Sequence, residues 1–347
     1  MYLKDLVDIQ MGQSPDSKFY NNDKIGLPFY QGKSDFGRIN PIPKIWCSKS
    51  KKEAKPNDIL ISVRAPVGDL NINNEQSCIG RGLAAITCKA DVDMMYLYYH
   101  LKYLKPQLRH ISTGSTFESI NRSQLENLII DYKSYSEQIK ISNILQVVQR
   151  QIEVREKLLR LYDLLIKSRF VELFGDVVLN TLNWPLVKLS AIAEYRIGLT
   201  YKPEEVSSSG VAVLRSGNIQ NSQLCYEDTI YVNSKVDPKL LLKKNDILMC
   251  ARNGSQSLVG KVALIENDIS NTTYGAFMMA ISSKYYVYLF EYFRSQAFRR
   301  LISVGSTTTI NQVTTRMLNS IVIPLPDLDT INRFALYHSQ INKLKFA

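Results

Sequence analysis

EQIKISNILQVVQRQIEVREKLLRLYDLLIKSRFVELF, residues 137–174, is the stretch around which the chain is organised. Counting on from Ile141 by alternate fours and threes reaches Leu145, Val148, Ile152, Arg155, Leu159, Tyr162, Ile166, Arg169 and Leu173. Eight of these ten positions are apolar or aromatic, a heptad seam of the a/d kind. No Pro or Gly interrupts it, and Gly175 stands where a left-handed helix cap is expected. At about 1.5 Å per residue the helix would run roughly 55 Å. The pattern predicts a coiled-coil spacer between globular domains; a helix lying along its own domain is the alternative.

The 347 residues suit two domains of about 130 to 150 residues plus a connector. Net charge is +11 and the pI is near 9.2, which points to a polyanionic partner. The charge is shared: basic residues outnumber acidic ones 18 to 14 over residues 1–133 and 15 to 12 over 176–328. Five widely spaced cysteines suggest neither a disulfide framework nor a zinc site, so a reducing cytoplasm is expected. The first residues do not read as a signal peptide, and no apolar run reaches membrane-spanning length, so no membrane partner is expected.

Outward from the seam, one plan occurs twice, about 190 residues apart. Leu3-Lys4-Asp5-Leu6 through Met11-Gly12 matches Val187-Lys188-Leu189 through Ile197-Gly198. Asn57-Asp58-Ile59-Leu60-Ile61 followed by Arg64 matches Asn245-Asp246-Ile247-Leu248-Met249 followed by Arg252. Val67-Gly68 matches Val259-Gly260, and Gly80 matches Gly275. Gly114-Ser115-Thr116 and Ile120-Asn121 return as Gly305-Ser306-Thr307 and Ile310-Asn311, and residues 125–130 as 318–323. Six matches in one order are not chance. Asn-Asp before an apolar run is turn chemistry opening a buried strand, since Asn tolerates positive φ. Residues 92–109 and 285–302 read as helices, residues 128–130 and 321–323 as closing strands. The fold class is therefore α+β: two similar mixed α/β domains, 1–133 and 176–326, separated by a long coiled-coil helix over 134–175. A second, shorter helix lies in 327–347, over about residues 330–345.

Catalytic chemistry is thin. His100, His110 and His338 read as helical surface or satisfied core positions. The glycines from Gly254 to Gly260-Lys261 have one residue too many for a phosphate loop, and Val262 where Ser or Thr should hold magnesium. No zinc-protease motif, nucleophile elbow or dinucleotide fingerprint occurs. Side chains that read base edges are better represented. The first half offers Gln31, Lys33, Ser34, Arg38, Arg64, Arg81, Ser115, Thr116, Asn121 and Arg122. The second offers Arg215, Ser216, Asn218, Gln220, Arg252, Asn253, Gln256, Thr307, Thr308, Thr309, Asn311 and Gln312. Arg64 and Arg252 stand out because they recur in register after an apolar strand. An ion pair inside the domain, with Asp58 or Asp246, is the structural alternative for those two.

The order of domain, long helix ending Phe174-Gly175-Asp176, Trp184-Pro185, second domain, Ile323-Pro324-Leu325-Pro326 and final helix resembles the specificity (S) subunit of type I restriction-modification enzymes. The resemblance covers essentially the whole chain. It implies two target-recognition domains, each reading one part of a bipartite, asymmetric duplex DNA target, and two helices paired as an antiparallel coiled coil. It implies a non-catalytic, cytoplasmic subunit docked to methyltransferase (M) subunits that use S-adenosylmethionine and to restriction (R) subunits that use ATP and magnesium. No cofactor is expected in this chain itself. Asp131-Tyr132-Lys133 departs from the prolines expected to close the first domain, and the second helix is less than half the length of the first. The uncovered seam invites a methyltransferase helix, with Ile144, Leu158 and Leu165 on a second face, or a homodimer with another copy. A nuclease or other enzyme built on a repeated DNA-binding domain, and an assembly protein that binds no DNA, are the rival readings.

Overall fold

The computed structural model describes residues 1–112, 118–304 and 312–345. The chain divides into two compact units, Met1–Val154 and Arg155–Ala347. In the first unit a short helix α1 (Leu3–Leu6) leads into strands β1 (Val7–Met11), β2 (Tyr20–Asn21), β3 (Leu27–Tyr30), β4 (Ile45–Cys47), β5 (Glu53–Ala54), β6 (Ile59–Ser62), β7 (Leu70–Ile72), β8 (Ser77–Ile79) and β9 (Leu83–Cys88). Helices α2 (Met94–Tyr103), α3 (Lys105–Ile111) and α4 (Arg122–Glu126) follow. The strands form one antiparallel sheet, β1-β9-β6-β7, and a second in the order β2-β4-β3-β8-β5, where β3 and β8 run parallel.

Helix α5 (Tyr135–Phe174) crosses the division as one 40-residue helix. The second unit continues with strands β10 (Leu186–Lys188), β11 (Glu194–Ile197), β12 (Val206–Ser207), β13 (Val211–Leu214), β14 (Ile219–Gln220), β15 (Gln223–Leu224), β16 (Ile230–Val232), β17 (Ile247–Cys250), β18 (Val262–Leu264), β19 (Thr272–Tyr274) and β20 (Met278–Ser282). Helices α6 (Tyr286–Arg294), α7 (Gln296–Val304) and α8 (Thr315–Ser320), strand β21 (Val322–Pro324) and helix α9 (Leu328–Lys345) complete it. Its sheets run β11-β20-β17-β18 and β12-β16-β13-β19, with β13 and β19 parallel. The first of these sheets repeats its counterpart strand for strand, and the second repeats the order β2-β4-β3-β8, with β5 unmatched; β10-β21 and β14-β15 are two-stranded sheets of the second unit alone. The repeat read from sequence is thus a repeat of core topology.

The shared residues make the shared geometry. Asn57 and Asn245 adopt φ of 69° and 70°, and each is followed by a buried aspartate opening a fully buried strand. Gly12 and Gly198 each lie against a carbonyl, of Gly80 and Gly275, so closely that a Cβ would collide with it. The helical stretches differ from expectation: each is two helices, broken at Leu104 and at Ser295. Pro106 belongs to the first turn of α3, where its missing N–H costs nothing. Ser295 caps α7, its hydroxyl accepting the Phe298 N–H at 3.2 Å. One sequence match also shifts. Ile120 donates to the Val63 carbonyl (2.9 Å) as Val313 donates to that of Ala251 (2.7 Å), and Asn121 caps α4 as Thr314 caps α8. The counterparts of Ile120-Asn121 are therefore Val313-Thr314; Ile310-Asn311, aligned with them from sequence, lies outside the described residues.

The heptad seam of α5 is covered unevenly. Of its residues Ile166 is buried and Tyr162 and Leu173 pack at the edge of the same core, while Phe170 and Phe174, off the seam, are buried beside it. Phe334 of α9 meets Phe170 and Phe174 edge-on at 5.6 and 5.3 Å, Tyr337 lies under the Arg169 guanidinium, and Lys345 pairs with Asp163 at 2.8 Å. Partner numbers fall along α5 as they rise along α9, so the pair is antiparallel. Further towards the start of α5, Ile141 is half-buried while Leu145, Val148, Ile152 and Leu159 are exposed. Gly175 ends the helix at φ 72°, donating to the Val171 carbonyl at 2.8 Å, as the sequence predicts. A buried polar cluster braces α9: Glu291 contacts Arg294 (2.6 Å) and His338 (3.5 Å). Among the described residues no helix is long and apolar enough to cross a membrane.

Ile166→Asp should destabilise the second unit by several kcal/mol, because its charge would replace a fully buried side chain. Leu159→Asp, at an exposed position, should shift the isolated chain by less than about 0.5 kcal/mol. Urea unfolding followed by Trp184 fluorescence in a Trp46→Phe background separates them; equal losses would contradict the uneven cover. Burial alone would raise the carboxyl pKa of Glu291, but the His338 hydrogen bond and the Arg294 charge outweigh it and hold it low. Its contribution is present above the ordinary glutamate pKa of 4.5 and is lost as pH falls through the folded value. Glu291→Gln should therefore flatten the acid limb of the stability profile below about pH 4.5, measured by the same fluorescence.

Candidate nucleic-acid interface

The candidate residues gather where the central strands β6 and β17 end. Arg64 bridges to Ser119 and Arg252 to Gln312 through equivalent backbone pairs, so both arginines leave the scaffold at one position of the fold. Both side chains are exposed. Neither takes the ion pair weighed from sequence. Asp58 accepts the Lys55 N–H and the Thr87 hydroxyl, both at 2.7 Å. Asp246 pairs with Arg196 and accepts the Ser282 hydroxyl at 2.5 Å.

Around Arg252 several side chains are already ordered. Gln312 Oε1 accepts from its Nε (3.2 Å) and Nη2 (2.8 Å), and the guanidinium lies 5.8 Å from the Phe277 ring centroid. Asn253 Nδ2 donates to Ser216 Oγ at 3.1 Å, and its Oδ1 accepts the Ser255 N–H at 2.9 Å. Gln256 is exposed and lines a cleft of about 440 Å³ with Gln312. Arg215 donates to the Asp228 carbonyl at 3.1 Å and borders, with Tyr201 and Phe277, a cleft of about 640 Å³.

Asn218 is not a surface reader. It is 2% exposed; its Oδ1 accepts the Arg215 N–H, and its Nδ2 donates to Cys225 O, Glu227 O and Thr229 Oγ1. An amide with all those bonds holds the loop instead of offering them outward. In the first unit Lys33 pairs with Asp69 at 2.9 Å beside Lys105. Burial would raise the Asp69 carboxyl pKa, but hydrogen bonds and charge from Lys105 and Lys33 hold it below the usual range. Arg38 pairs with Glu153 at 3.3 Å and Arg122 with Glu126 at 2.7 Å. Asn121 is occupied as the cap of α4, its Oδ1 accepting the Gln124 N–H at 2.9 Å. Ser34 is exposed, and its carbonyl accepts from Lys44. Arg81 is exposed beside the Gly80 turn. Ser115, Thr116, Thr307 and Asn311 lie outside the described residues. Phe277, 61% exposed beside Arg252, is absent from the sequence reading. Its register alone was legible, two residues past the matched Gly275 as Gly82 is past Gly80; the structure confirms the place, since Ala251 donates to its carbonyl as Val63 donates to that of Gly82, both at 2.9 Å.

Comparison with known proteins adds to this geometry. The profile of the family described as "Type I restriction modification DNA specificity domain" matches residues 1–160 and 182–340. A putative type I restriction enzyme MjaX specificity subunit of Methanocaldococcus jannaschii is 43% identical over 150 residues, 43% of this chain and 35% of that protein. The type I restriction enzyme MjaVIII specificity subunit of the same organism is 24% identical over 264 residues, 69% of this chain and 61% of that one. The chain thus spans less than two thirds of the length of these curated relatives. The crystal structure of the type I restriction-modification system S subunit from M. genitalium shares the fold, with a TM-score of 0.60 at 17% identity over 99% of this chain and 91% of that one.

Asn218→Ala should lower the stability of the second unit by about 1–3 kcal/mol, the cost of leaving buried groups unpaired. Ser216→Ala should cost under about 1 kcal/mol. Denaturant titration decides it, and an Asn218→Ala chain as stable as the parent would return that residue to the surface-reading set.

Proposed function

The chain belongs to the type I restriction modification DNA specificity family, and from that premise we propose that it is the sequence-reading subunit of a restriction-modification complex. The observation that carries this reading is the doubled scaffold: two units of the same sheet order set an exposed arginine at the same bridged position, Arg64 and Arg252. Each unit reads one part of a split, asymmetric target in duplex DNA. Lys and Arg on the basic surface contact phosphates and set position, and side chains around the two arginines discriminate base edges. In the second unit the readers are Arg252, Asn253, Gln256 and Gln312, with Arg215 and Ser216 beside them; in the first they are Arg64, Arg81 and Ser34.

The chain itself is non-catalytic and cytoplasmic in this reading. A methyltransferase subunit that uses S-adenosylmethionine, and a restriction subunit that uses ATP and magnesium, supply the chemistry at sites this chain selects. The exposed apolar side chains of α5, among them Ile144, Leu158 and Leu165, suit a helix of the methyltransferase.

Replacing residues 1–133 with the matching segment of a related subunit, in cells that also make the methyltransferase, tests the assignment. Mapping of modified bases across the genome should show one part of the target changed and the other kept. Change in both parts, or in neither, contradicts the two-reader account.

A further inference from the structure

We propose that Phe277 is a specificity-determining residue of the second unit, an apolar finger that reads the C5-methyl group of a thymine next to a guanine held by Arg252. The inference rests on the DNA-reading role proposed above and adds the base chemistry. Phe277 sits in the tight turn closed by the Met278 N–H on the Gly275 carbonyl at 2.8 Å, and the residue is 61% exposed. Phe277 is tied to Arg252 twice, through its backbone and through its ring. Its own carbonyl accepts the N–H groups of Ala251 (2.9 Å) and Arg252 (3.0 Å), and the guanidinium lies over its face. Ring and guanidinium are therefore presented together, from two hydrogen-bonded segments at the adjoining ends of β17 and β20.

The guanidinium is also oriented. Its bonds to Gln312 use Nε and one hydrogen of Nη2. That leaves Nη1 and the second Nη2 hydrogen, the fork that matches O6 and N7 of guanine in the major groove. An apolar group at the edge of such a contact finds one apolar feature on the floor of that groove, the thymine methyl. The first unit shows what a different target does to the same backbone. Gly82 replaces Phe277, a Cβ there would collide with the Gln31 carbonyl, and Ser119 replaces Gln312. The scaffold is kept and the reading chemistry is exchanged, as two units with different half-targets require.

The test uses the full chain assembled with its methyltransferase and duplexes of the mapped target in which each thymine in turn is replaced by deoxyuridine. For the parent complex, loss of one methyl group, in the part read by the second unit, should weaken binding about four-fold, the worth of one methyl moved out of water. Phe277→Ala should bind the thymine and deoxyuridine duplexes equally, and Phe277→Leu should keep most of the discrimination. The modified sites of Phe277→Ala should relax at that base pair alone. Indifference of the parent to every substitution, an equal response in Phe277→Ala, or a second half-target without an A·T pair overturns the proposal. Those results leave the DNA-reading role standing, whereas a parent complex that prefers no duplex over any other refutes that role as well.

Discussion

In each unit one buried carboxylate at the mouth of the central strand fixes the sheet and, through it, the arginine beyond. Asp58 and Asp246, both 3% exposed, accept the N–H group three residues back and a hydroxyl from the neighbouring strand, Thr87 in one unit and Ser282 in the other. The asparagine before each takes the left-handed conformation that lets the chain turn into the strand. A strand register that slipped by one residue would turn every core side chain to the wrong face. This clasp holds β6 and β17 against β9 and β20, and so determines where Arg64 and Arg252 emerge beyond the ends of their strands.

On that common frame the two units differ in what they present. The arginine of the first unit stands beside Ser119 and Gly82, that of the second between Gln312 and Phe277. Backbone position is conserved between the units while side-chain chemistry is not. This division of labour suits the proposed role, in which the two units read different short sequences. Phosphate contacts need only a basic surface, which both halves supply. Base discrimination needs a few side chains held at known places, which the sheets provide.

The repeat, the buried strands, the long helix and its glycine cap were legible because each rests on local chemistry: alternating apolar residues, Asn-Asp turns and heptad spacing. The site was less legible, for reasons that differ by residue. Asn218 looks like a base reader in one dimension, yet a turn from Arg215 to Thr229 closes around its amide. Lys33 and Arg38 find carboxylates distant in sequence, Asp69 and Glu153. The match of Ile120-Asn121 to Ile310-Asn311 followed letters, whereas backbone pairing selects Val313-Thr314. Phe277 was hidden because an aromatic is more often core than surface. The seam of α5 reads as uniform, but α9 covers it from about Tyr162 onward.

That two units share the reading of one duplex is the claim on which the account stands. Its most direct measurement is the affinity of the assembled complex for four duplexes at fixed salt: the whole target, either part scrambled, and both scrambled. Stepwise weakening is expected, each scrambled part costing affinity and the doubly scrambled duplex binding weakest, at the level of non-specific DNA. Equal affinity for all four would contradict it.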